Sequence, residues 1–177
     1  ALAMQGKPAS IRSPREAFDL GIGMIHQHFK LVESFRAMDN IVIGTKGKRL
    51  TDKELSQKIK EICDKFGLEI EPEKRVYEMS VSEKQTVEIV KVLYKGADIL
   101  ILDEVLSVGD AKFRKKCENR IQSMFDKGVT VIFVSHSTSQ VLRMCNKGIL
   151  LEQGRLIAQG DVEDVVSVYE AKMSENE

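Results

Sequence analysis

The sequence predicts an α/β fold, with a mainly parallel sheet flanked by helices, a helical subdomain and a C-terminal β-hairpin. Helix and strand patterns alternate along the 177 residues, as they do where helices connect parallel strands. The stretch Ile99–Leu102 is apolar at four consecutive positions, which is typical of a strand buried on both faces. Two short apolar segments flank Gln153-Gly154, a dipeptide that favours a hairpin turn.

The first two helices are predicted from their capping residues. Ser13-Pro14-Arg15-Glu16 combines an N-cap serine, a proline at the first helical position and a capping-box glutamate, and Gly21 ends that helix. A short strand is predicted at Ile22–His26. Thr51-x-x-Glu54 then opens an amphipathic helix that ends at Gly67. Its apolar stripe consists of Leu55, Ile59, Ile62, Cys63 and Phe66.

The remaining elements follow the same alternation. A third helix runs from about Ser80 to Lys95 and leads, through Gly96, into the strand that ends at Asp103. The later predicted elements are a helix from about Asp110 to Lys127, the strand Thr130–Val134, a short helix after Ser137, the hairpin segments Ile149–Glu152 and Leu156–Ala158, and a helix from Val162 to about Met173. The inward side chains of the Asp110 helix are predicted to be Phe113, Cys117, Ile121, Met124 and Phe125.

Composition excludes several classes of protein. The chain is 42% hydrophobic and 31% charged, as expected for a soluble globular domain, and its 27 basic and 27 acidic residues give no overall field for binding nucleic acid. Apolar stretches are strand-sized, so we expect no membrane-spanning segment, and we find no signal-peptide pattern. Cys63, Cys117 and Cys145 are far apart and outside any metal-ligand spacing, which predicts buried, reduced thiols.

Polar residues follow three of the predicted strands. Gln27 comes after the first, Asp103 and Glu104 end the second, and His136 follows the third. The carboxyl ends of parallel strands open onto the ligand crevice of an α/β sheet. Asp103 could hold a magnesium ion there, directly or through water, and Glu104 could polarise an attacking water. Taken singly, the acidic pair is also compatible with the approach to a helix, Gln27 with a loop amide, and His136 with a capping or packed histidine.

The joint order of these residues resembles the ATP-binding subunits of ABC transporters, over essentially the whole chain. The matching motifs are the Q-loop glutamine at Gln27, the signature motif at Met79-Ser80-Val81-Ser82-Glu83, the Walker B strand at Ile99–Asp103, the catalytic base at Glu104, the D-loop at Ser107-Val108-Gly109-Asp110 and the switch histidine at His136. Six motifs in order are far more specific than any one of them. The resemblance implies a partial P-loop-NTPase-like sheet and the cofactors ATP and Mg²⁺.

The resemblance also implies a role for each matching residue. Asp103 and Gln27 would serve Mg²⁺ and its waters, Glu104 the attacking water, and His136 the γ-phosphate, so we expect His136 and Glu104 to approach one crevice. The remaining nucleotide-binding residues would be Ser80, Val81, Ser82, Glu83 and Asp110. In the family the signature helix meets ATP held by a second subunit. Without the other motifs, Ser80-x-x-Glu83 would be interpreted as a plain helix cap.

The sequence departs from the family at the phosphate-binding loop. No G-x-x-x-x-G-K-[ST] occurs, because Gly44-Thr45-Lys46-Gly47-Lys48 has the wrong spacing. In the family the P-loop, its strand and its helix lie upstream of the Q-loop, and we expect this chain to begin too late to contain them. We therefore expect this Walker A-lacking chain to bind ATP weakly or not at all and to be inactive alone. Ser82 replaces the second signature glycine, and Thr86 stands where such helices often carry arginine.

The two halves resemble different branches of the family. The motif from Ile11 to Phe29 is similar to the ATPases of simple-sugar and nucleoside importers, as is Val87–Tyr94, whereas the chain from Glu104 onward is similar to exporters of polysaccharide or teichoic acid. Val105 replaces the proline usual after the catalytic glutamate in importers. A hybrid joined near the Walker B strand, a truncation and an unusual natural paralogue all remain open.

The main hypothesis is therefore a P-loop-less portion of a transport ATPase, cytoplasmic and peripheral to the inner (plasma) membrane. We expect one partial ABC ATPase domain over 1–177, with a helical and signature subdomain at about 30–96 and the Walker B to switch-histidine core at 97–177. His28–Asn40 would lie near the groove that receives the membrane subunit. We also expect ATP-independent self-association, since bared strand edges invite pairing.

Two alternative functions remain. The first is a DNA-repair or chromosome-maintenance ABC ATPase. Those proteins insert long coiled coils between Q-loop and signature, whereas the interval from Gln27 to Ser80 holds one amphipathic helix and no sustained heptads, which favours the transporter. The second is a non-catalytic interaction module built on this fold, for which the missing P-loop is the argument.

Overall fold

The computed structural model describes residues 2–4, 7–26, 28–45, 50–104 and 111–175. These residues form two compact units, Ala1–Ile132 and Phe133–Glu177, which are described separately below. The single-domain organisation expected from the sequence stays a prediction.

A short antiparallel pair and a helix begin the first unit. Strands β1 (Leu2–Met4) and β2 (Lys7–Ala9), which the sequence analysis missed, are followed by helix α1 (Pro14–Asp19). The Ser13 hydroxyl caps α1 by accepting from the amide of Glu16 at 3.2 Å, as predicted. The predicted reciprocal bond is wrong, because the Glu16 carboxylate accepts instead from the amide of Arg12 at 2.8 Å.

The central sheet has the strand order β3-β4-β5. Its members are β3 (Ile22–Ile25), β4 (Ile99–Asp103) and β5 (Thr130–Val134). Strands β3 and β4 run parallel, from the pair Ile22 and Ile99 to the pair Ile25 and Leu102, which confirms the predicted parallel sheet. The prediction that β4 is buried on both faces is wrong, since its residues alternate between buried and half-buried.

Three helices pack together beside this sheet. They are α2 (Ala37–Val42), α3 (Asp52–Phe66) and α4 (Val81–Tyr94), with a 3₁₀ turn at Val76–Glu78. Thr51 and Glu54 form the predicted capping box of α3, and Gly67 ends the helix with a φ of 63°, which glycine adopts readily. A Cβ on Gly23 would lie 1.9 Å from Cγ1 of Val92, so the absence of a side chain lets β3 approach α4 closely.

The core of the first unit lies between these helices and the sheet. Fully buried side chains include Ile25, Met38, Ile41, Ile59, Val76, Val87, Val90, Leu100 and Leu102. Helix α5 (Ala111–Asp126) adds the buried residues Cys117, Ile121 and Met124. Phe125 is half-buried, and the side chain of Phe113 lies outside the described residues.

The second unit consists of a β-hairpin between two helices. Its elements are α6 (Thr138–Met144), β6 (Lys147–Glu152), β7 (Arg155–Asp161) and α7 (Val162–Glu175). Gln153 and Gly154 have φ angles of 48° and 76°, as the predicted hairpin turn requires. Helix α7 contributes the buried Val162, Val165 and Val166. The hairpin instead leaves apolar side chains exposed, namely Ile149, Leu151, Leu156 and Ile157.

No helix within the described ranges is long and apolar enough to cross a membrane. None of the three cysteines, all of them described, forms a disulfide. Cys63 and Cys117 are buried as predicted, whereas Cys145, also predicted to be buried, is half-buried. Burial and the nearby Asp64 carboxylate raise the pKa of the Cys63 thiol to about 11, so this cysteine is protonated at neutral pH.

Candidate functional site

The carboxyl edge of the β3-β4 pair carries the two predicted acidic residues. Because Ile25 lies opposite Leu102, both strands end at the same edge of the sheet. Asp103 is the last residue of β4 and is half-buried, and Glu104 follows it and is also half-buried. The structure therefore brings this pair of carboxylates to the edge where parallel sheets bind ligands.

Glu104 has an unusual backbone conformation. Its φ is 53°, in the left-handed region, where a residue with a Cβ is strained by about 1–3 kcal/mol. Such strain persists only where the surrounding structure fixes it, and it is concentrated at functional sites. The sequence predicted Glu104 from its position after an apolar strand but gave no indication of this conformation.

The Mg²⁺ ion that the motifs imply fits a single strand-end carboxylate. Magnesium is usually held by one or two carboxylates together with waters and phosphate oxygens. Within the described ranges no group of three or more His, Cys, Asp or Glu side chains is placed to hold a metal ion. The carboxylate of Asp103 has the ligand chemistry that a magnesium ion bound with a nucleotide requires.

The second part of the candidate site is the start of α4. Ser80 is its N-cap: its hydroxyl accepts from the amide of Glu83 at 3.3 Å, and the Glu83 carboxylate accepts from the Ser80 amide at 2.8 Å. Lys74 also contacts Glu83, with Nζ 2.5 Å from Oε1. The Lys74 ammonium and the two Ser80 donors lower the pKa of Glu83 to about 2.

The four predicted residues of this motif, Ser80, Val81, Ser82 and Glu83, have different contacts and so different structural roles. Glu83 is engaged by Ser80 and Lys74, so its carboxylate orders the helix start. Val81 is 46% exposed, and Ser82 is half-buried with its carbonyl accepting from Thr86 Oγ1 at 2.9 Å. The first amides of a helix have no intrahelical acceptor, so those of Val81 and Ser82 are suited to an anion.

Three predicted site residues are not brought together with Glu104 by these observations. Gln27 and Asp110 lie outside the described residues. His136 is exposed and belongs to the second unit, in the turn between β5 and α6. There the Ser135 hydroxyl accepts from the amide of Ser137 at 3.1 Å, which tightens the turn beside His136. Its approach to Glu104 stays a prediction.

A cavity of about 1260 Å³ lies elsewhere in the first unit, and no motif in the sequence predicts it. Two of its lysines lie over aromatic rings: Lys58 is 4.7 Å from the centre of Tyr94, and Lys95 is 5.3 Å from that of Phe18. None of the predicted site residues within the described ranges lines it.

Arg36, which the sequence analysis did not single out, binds two carboxylates that line this cavity, those of Asp39 and Asp52. Its guanidinium binds Asp39 at 2.9 Å, Asp52 at 2.8 Å and Glu73 at 2.6 Å, and these carboxylates raise its pKa, Asp39 most. The network ties α2 to the start of α3. It has a structural role distinct from the strand-end site.

Comparison with known families identifies one match. The family model described as "ABC transporter" matches residues 2–107. This matched region includes Ser80, Asp103 and Glu104.

Curated relatives carry related names. The chain is 36% identical over 157 residues to the nucleoside import ATP-binding protein NupA of Lactococcus lactis, covering 87% of this chain and 31% of that protein. It is also 36% identical over 166 residues to the guanosine import ATP-binding protein NupO of Bacillus subtilis, covering 92% and 32%. The ribose import ATP-binding protein RbsA of Caldanaerobacter subterraneus is 30% identical, with 93% and 34% covered. The chain thus spans about a third of the length of these relatives.

Known structures support the fold. The cbiO1 protein of Clostridium perfringens, part of the ABC transporter complex cbiONQ, superposes with a TM-score of 0.74 at 22% identity, covering 98% of this chain and 70% of that one. An ATP-binding cassette of an ABC transporter in its ADP conformation gives 0.72 at 19% identity, covering 88% and 68%.

Proposed function

Because this chain belongs to the ABC transporter family, we propose that it is the ATP-binding part of an ABC importer for nucleosides or simple sugars. The observation that carries the proposal is the parallel pairing of β3 with β4, because β4 ends at Asp103 and is followed by the strained Glu104. Import ATP-binding proteins at 30–36% identity support the importer class. The short helices α2 and α3 between β3 and Ser80 favour a transporter over a chromosome-maintenance ATPase.

In the proposed mechanism the strand-end carboxylates handle the metal and the water. Mg²⁺ neutralises phosphate charge when bound. Asp103 would bind this ion directly or through water, and Gln27 would orient its waters. Glu104 orients the attacking water and accepts its proton at a carboxylate oxygen. His136 donates a hydrogen bond to the γ-phosphate.

The start of α4 is proposed to contact ATP held by a second subunit. The amides of Val81 and Ser82 would meet phosphate oxygens, while Ser80 and Glu83 keep that first turn in place. Asp110 would act in the same subunit contact. The extra side chain of Ser82, where the family has glycine, restricts how closely a phosphate approaches.

We further propose that the chain alone binds ATP weakly and does not hydrolyse it. A P-loop contributes several charge-assisted hydrogen bonds of about 1.5–3 kcal/mol each. Losing three would weaken binding by about 5 kcal/mol, or more than a thousandfold.

We also propose that the chain is a hybrid, and the argument is the resemblance of its second half to exporters.

The proposed partner is the membrane subunit of a transporter. Residues 28–40, which follow β3, would lie near the groove that receives it, so that the protein acts in the cytoplasm at the inner membrane. We also propose that the chain self-associates through exposed strands. Strand β5 lies at the end of the sheet order and exposes 50% of Ile132 and 44% of Val134.

Equilibrium binding of a fluorescent ATP analogue, with and without Mg²⁺, tests the nucleotide site. The chain is compared with the same residues joined, ahead of residue 1, to a strand, a G-x-x-x-x-G-K-[ST] loop and a helix. We expect at least a thousandfold tighter binding by the joined protein. Loss of its Mg²⁺ dependence in Asp103→Asn would support the metal role. Equal binding by both proteins would contradict the proposal.

Sedimentation at micromolar concentration tests self-association. We expect a dimer or larger species whose stability does not change when ATP is added, because strand pairing rather than nucleotide holds it together. Ile132→Lys should shift the population toward monomer. A compact monomer at all concentrations would refute the idea.

A further inference from the structure

Three side chains hold the backbone of residues 30 and 32. The amide of Lys30 donates to Glu88 Oε1 at 2.7 Å, and Lys91 Nζ donates to the Lys30 carbonyl at 3.0 Å. The amide of Val32 donates to Asn40 Oδ1 at 2.7 Å, and Asn40 Nδ2 donates to the Val32 carbonyl at 3.1 Å. Both polar groups of each residue are therefore bound by side chains.

This arrangement imitates a strand pairing. In an extended chain the amide and carbonyl of residues i and i+2 point to the same side, where a neighbouring strand would bind them. Here Glu88 and Lys91 of α4 bind both polar groups of Lys30, and Asn40 of α2 binds both of Val32, as a neighbouring strand would. The Val32 carbonyl also accepts from the Phe35 amide at 3.1 Å. We call Glu88, Lys91 and Asn40 the side-chain ladder.

The ladder residues are withdrawn from water. Asn40 is fully buried, and the side chains of Glu88 and Lys91 are 7% and 14% exposed. Glu88 and Lys91 also pair with each other at 3.4 Å, one turn apart on a helix whose other buried residues are mostly apolar. Burying an ion pair offsets much of its own attraction, and apolar residues often pack as stably. The ladder is thus better explained by the position in which it holds residues 30 and 32 than by a contribution to the stability of the fold.

The place it holds is the exit from β3. Residues 28–32 come soon after β3 in the sequence, β3 ends opposite Leu102, next to Asp103, and Ser80 caps α4. One rigid helix therefore carries both the Ser80 cap and the two residues that hold Lys30.

We propose that Glu88, Lys91 and Asn40 are positioning residues that fix the path of the chain after β3 relative to α2 and α4. The inference rests on the proposed function in one respect: residues 30 and 32 follow, in the sequence, the strand that ends at the candidate nucleotide site, so the ladder links that part of the chain to the helix that begins at Ser80.

Amide hydrogen exchange of the intact chain, followed by NMR without nucleotide, tests the ladder. Lys91→Met removes the ammonium and keeps the stem. We expect it to accelerate exchange of the Lys30 amide about tenfold or more, relative to Ile59 in α3, and to move the amide resonance of His28. Lys91→Arg, which keeps a donor, should restore most of the protection.

Lys84→Met is the matched control, since Lys84 lies on the same helix but binds the Glu33 side chain, at 2.9 Å, instead of backbone. We expect it to leave the Lys30 exchange within about twofold. A merely structural role would accelerate Ile59 and Lys30 together, which would overturn the proposal. Exchange of Lys30 and Val32 at free-peptide rates in the unaltered chain would overturn it as well.

Glu88→Gln gives a second measurement if Lys91→Met folds poorly. It keeps an acceptor for the Lys30 amide and removes the ion pair, so partial protection is expected and unchanged protection would contradict the ladder. Neither measurement uses nucleotide. Failure of the ATP-analogue experiment would refute the proposed function and leave the ladder standing, and the reverse also holds.

Discussion

Apolar side chains are mostly buried in the helical region, residues 30–96, but several are exposed in the hairpin unit, residues 133–177. In the helical region α2, α3 and α4 bury Met38, Ile41, Ile59 and Val87 almost completely. In the hairpin unit Ile149, Leu151 and Leu156 remain 68%, 64% and 54% exposed. Both segments are apolar in sequence, so composition alone does not distinguish them.

The difference indicates which parts of the chain complete their own core. Helices close in sequence can cover one another, and the helical region also satisfies the buried polar groups of Asn40 and Glu88. A hairpin packed by one helix has a second face that needs another partner. We therefore expect the helical region to supply most of the stability and the hairpin unit to supply exposed surface for association.

The largest effect should come from a matched pair of truncations. Ile41→Ala should destabilise the protein by about 2–5 kcal/mol, because it removes a fully buried side chain and leaves a cavity. Ile149→Ala should change stability by less than about 0.5 kcal/mol. Denaturant unfolding at submicromolar concentration measures both. A large loss in Ile149→Ala would show that the hairpin face is already covered in solution.

A smaller effect of opposite sign is expected inside the well-packed unit. Arg120 is 6% exposed, and its Nη1 has no hydrogen-bond partner among the described residues. Desolvation by burial lowers its pKa. Arg120→Met should stabilise the protein by about 1–2 kcal/mol, measured by the same unfolding experiment.

The exposed Lys127, at the end of the same helix, provides the control for that substitution. Lys127→Met should be neutral. Destabilisation by Arg120→Met would mean that the guanidinium has a partner in solution that compensates its burial.

The smallest effect concerns pH at the start of α4. Because the folded protein lowers the pKa of Glu83 to about 2 from 4.5, this carboxylate contributes stability above about pH 4.5 that is lost as the pH falls through 2. Its side chain is 36% exposed, so screening reduces the contribution to about 1 kcal/mol or less.

Thermal unfolding at pH 7 and pH 3 checks the contribution of Glu83. Glu83→Gln should reduce the difference in stability between the two pH values. An unchanged pH dependence in Glu83→Gln would contradict the assigned contacts with Lys74 and Ser80.

Local signals in the sequence predicted the fold well. Ser13, Thr51 and Ser80 cap helices as expected, because a cap depends on residues within one turn. Helix α2 was missed because its N-cap is Arg36, which is not a typical capping residue and is fixed instead by Asp39 and more distant carboxylates.

The candidate site was predictable where it follows a strand, at Asp103, and where it begins a capped helix, at Ser80. Asp103 was predicted because a carboxylate after an apolar run can be recognised from the sequence alone. The positive φ of Glu104 and the ladder at Glu88 could not be predicted, since both depend on how distant segments meet. Glu88 stands among apolar residues of α4, and nothing local indicates that the Lys30 backbone is its partner.

Mg²⁺-dependent ATP hydrolysis tests the central claim most directly. The chain alone should show no turnover above background, while the chain joined to a P-loop should hydrolyse ATP. In the joined protein Glu104→Gln should lower the rate about 100-fold or more, and Glu163→Gln should leave it unchanged. Two results would contradict the account. One is ATP hydrolysis by the chain alone that disappears in Glu104→Gln, and the other is an unchanged hydrolysis rate when the joined protein carries that substitution.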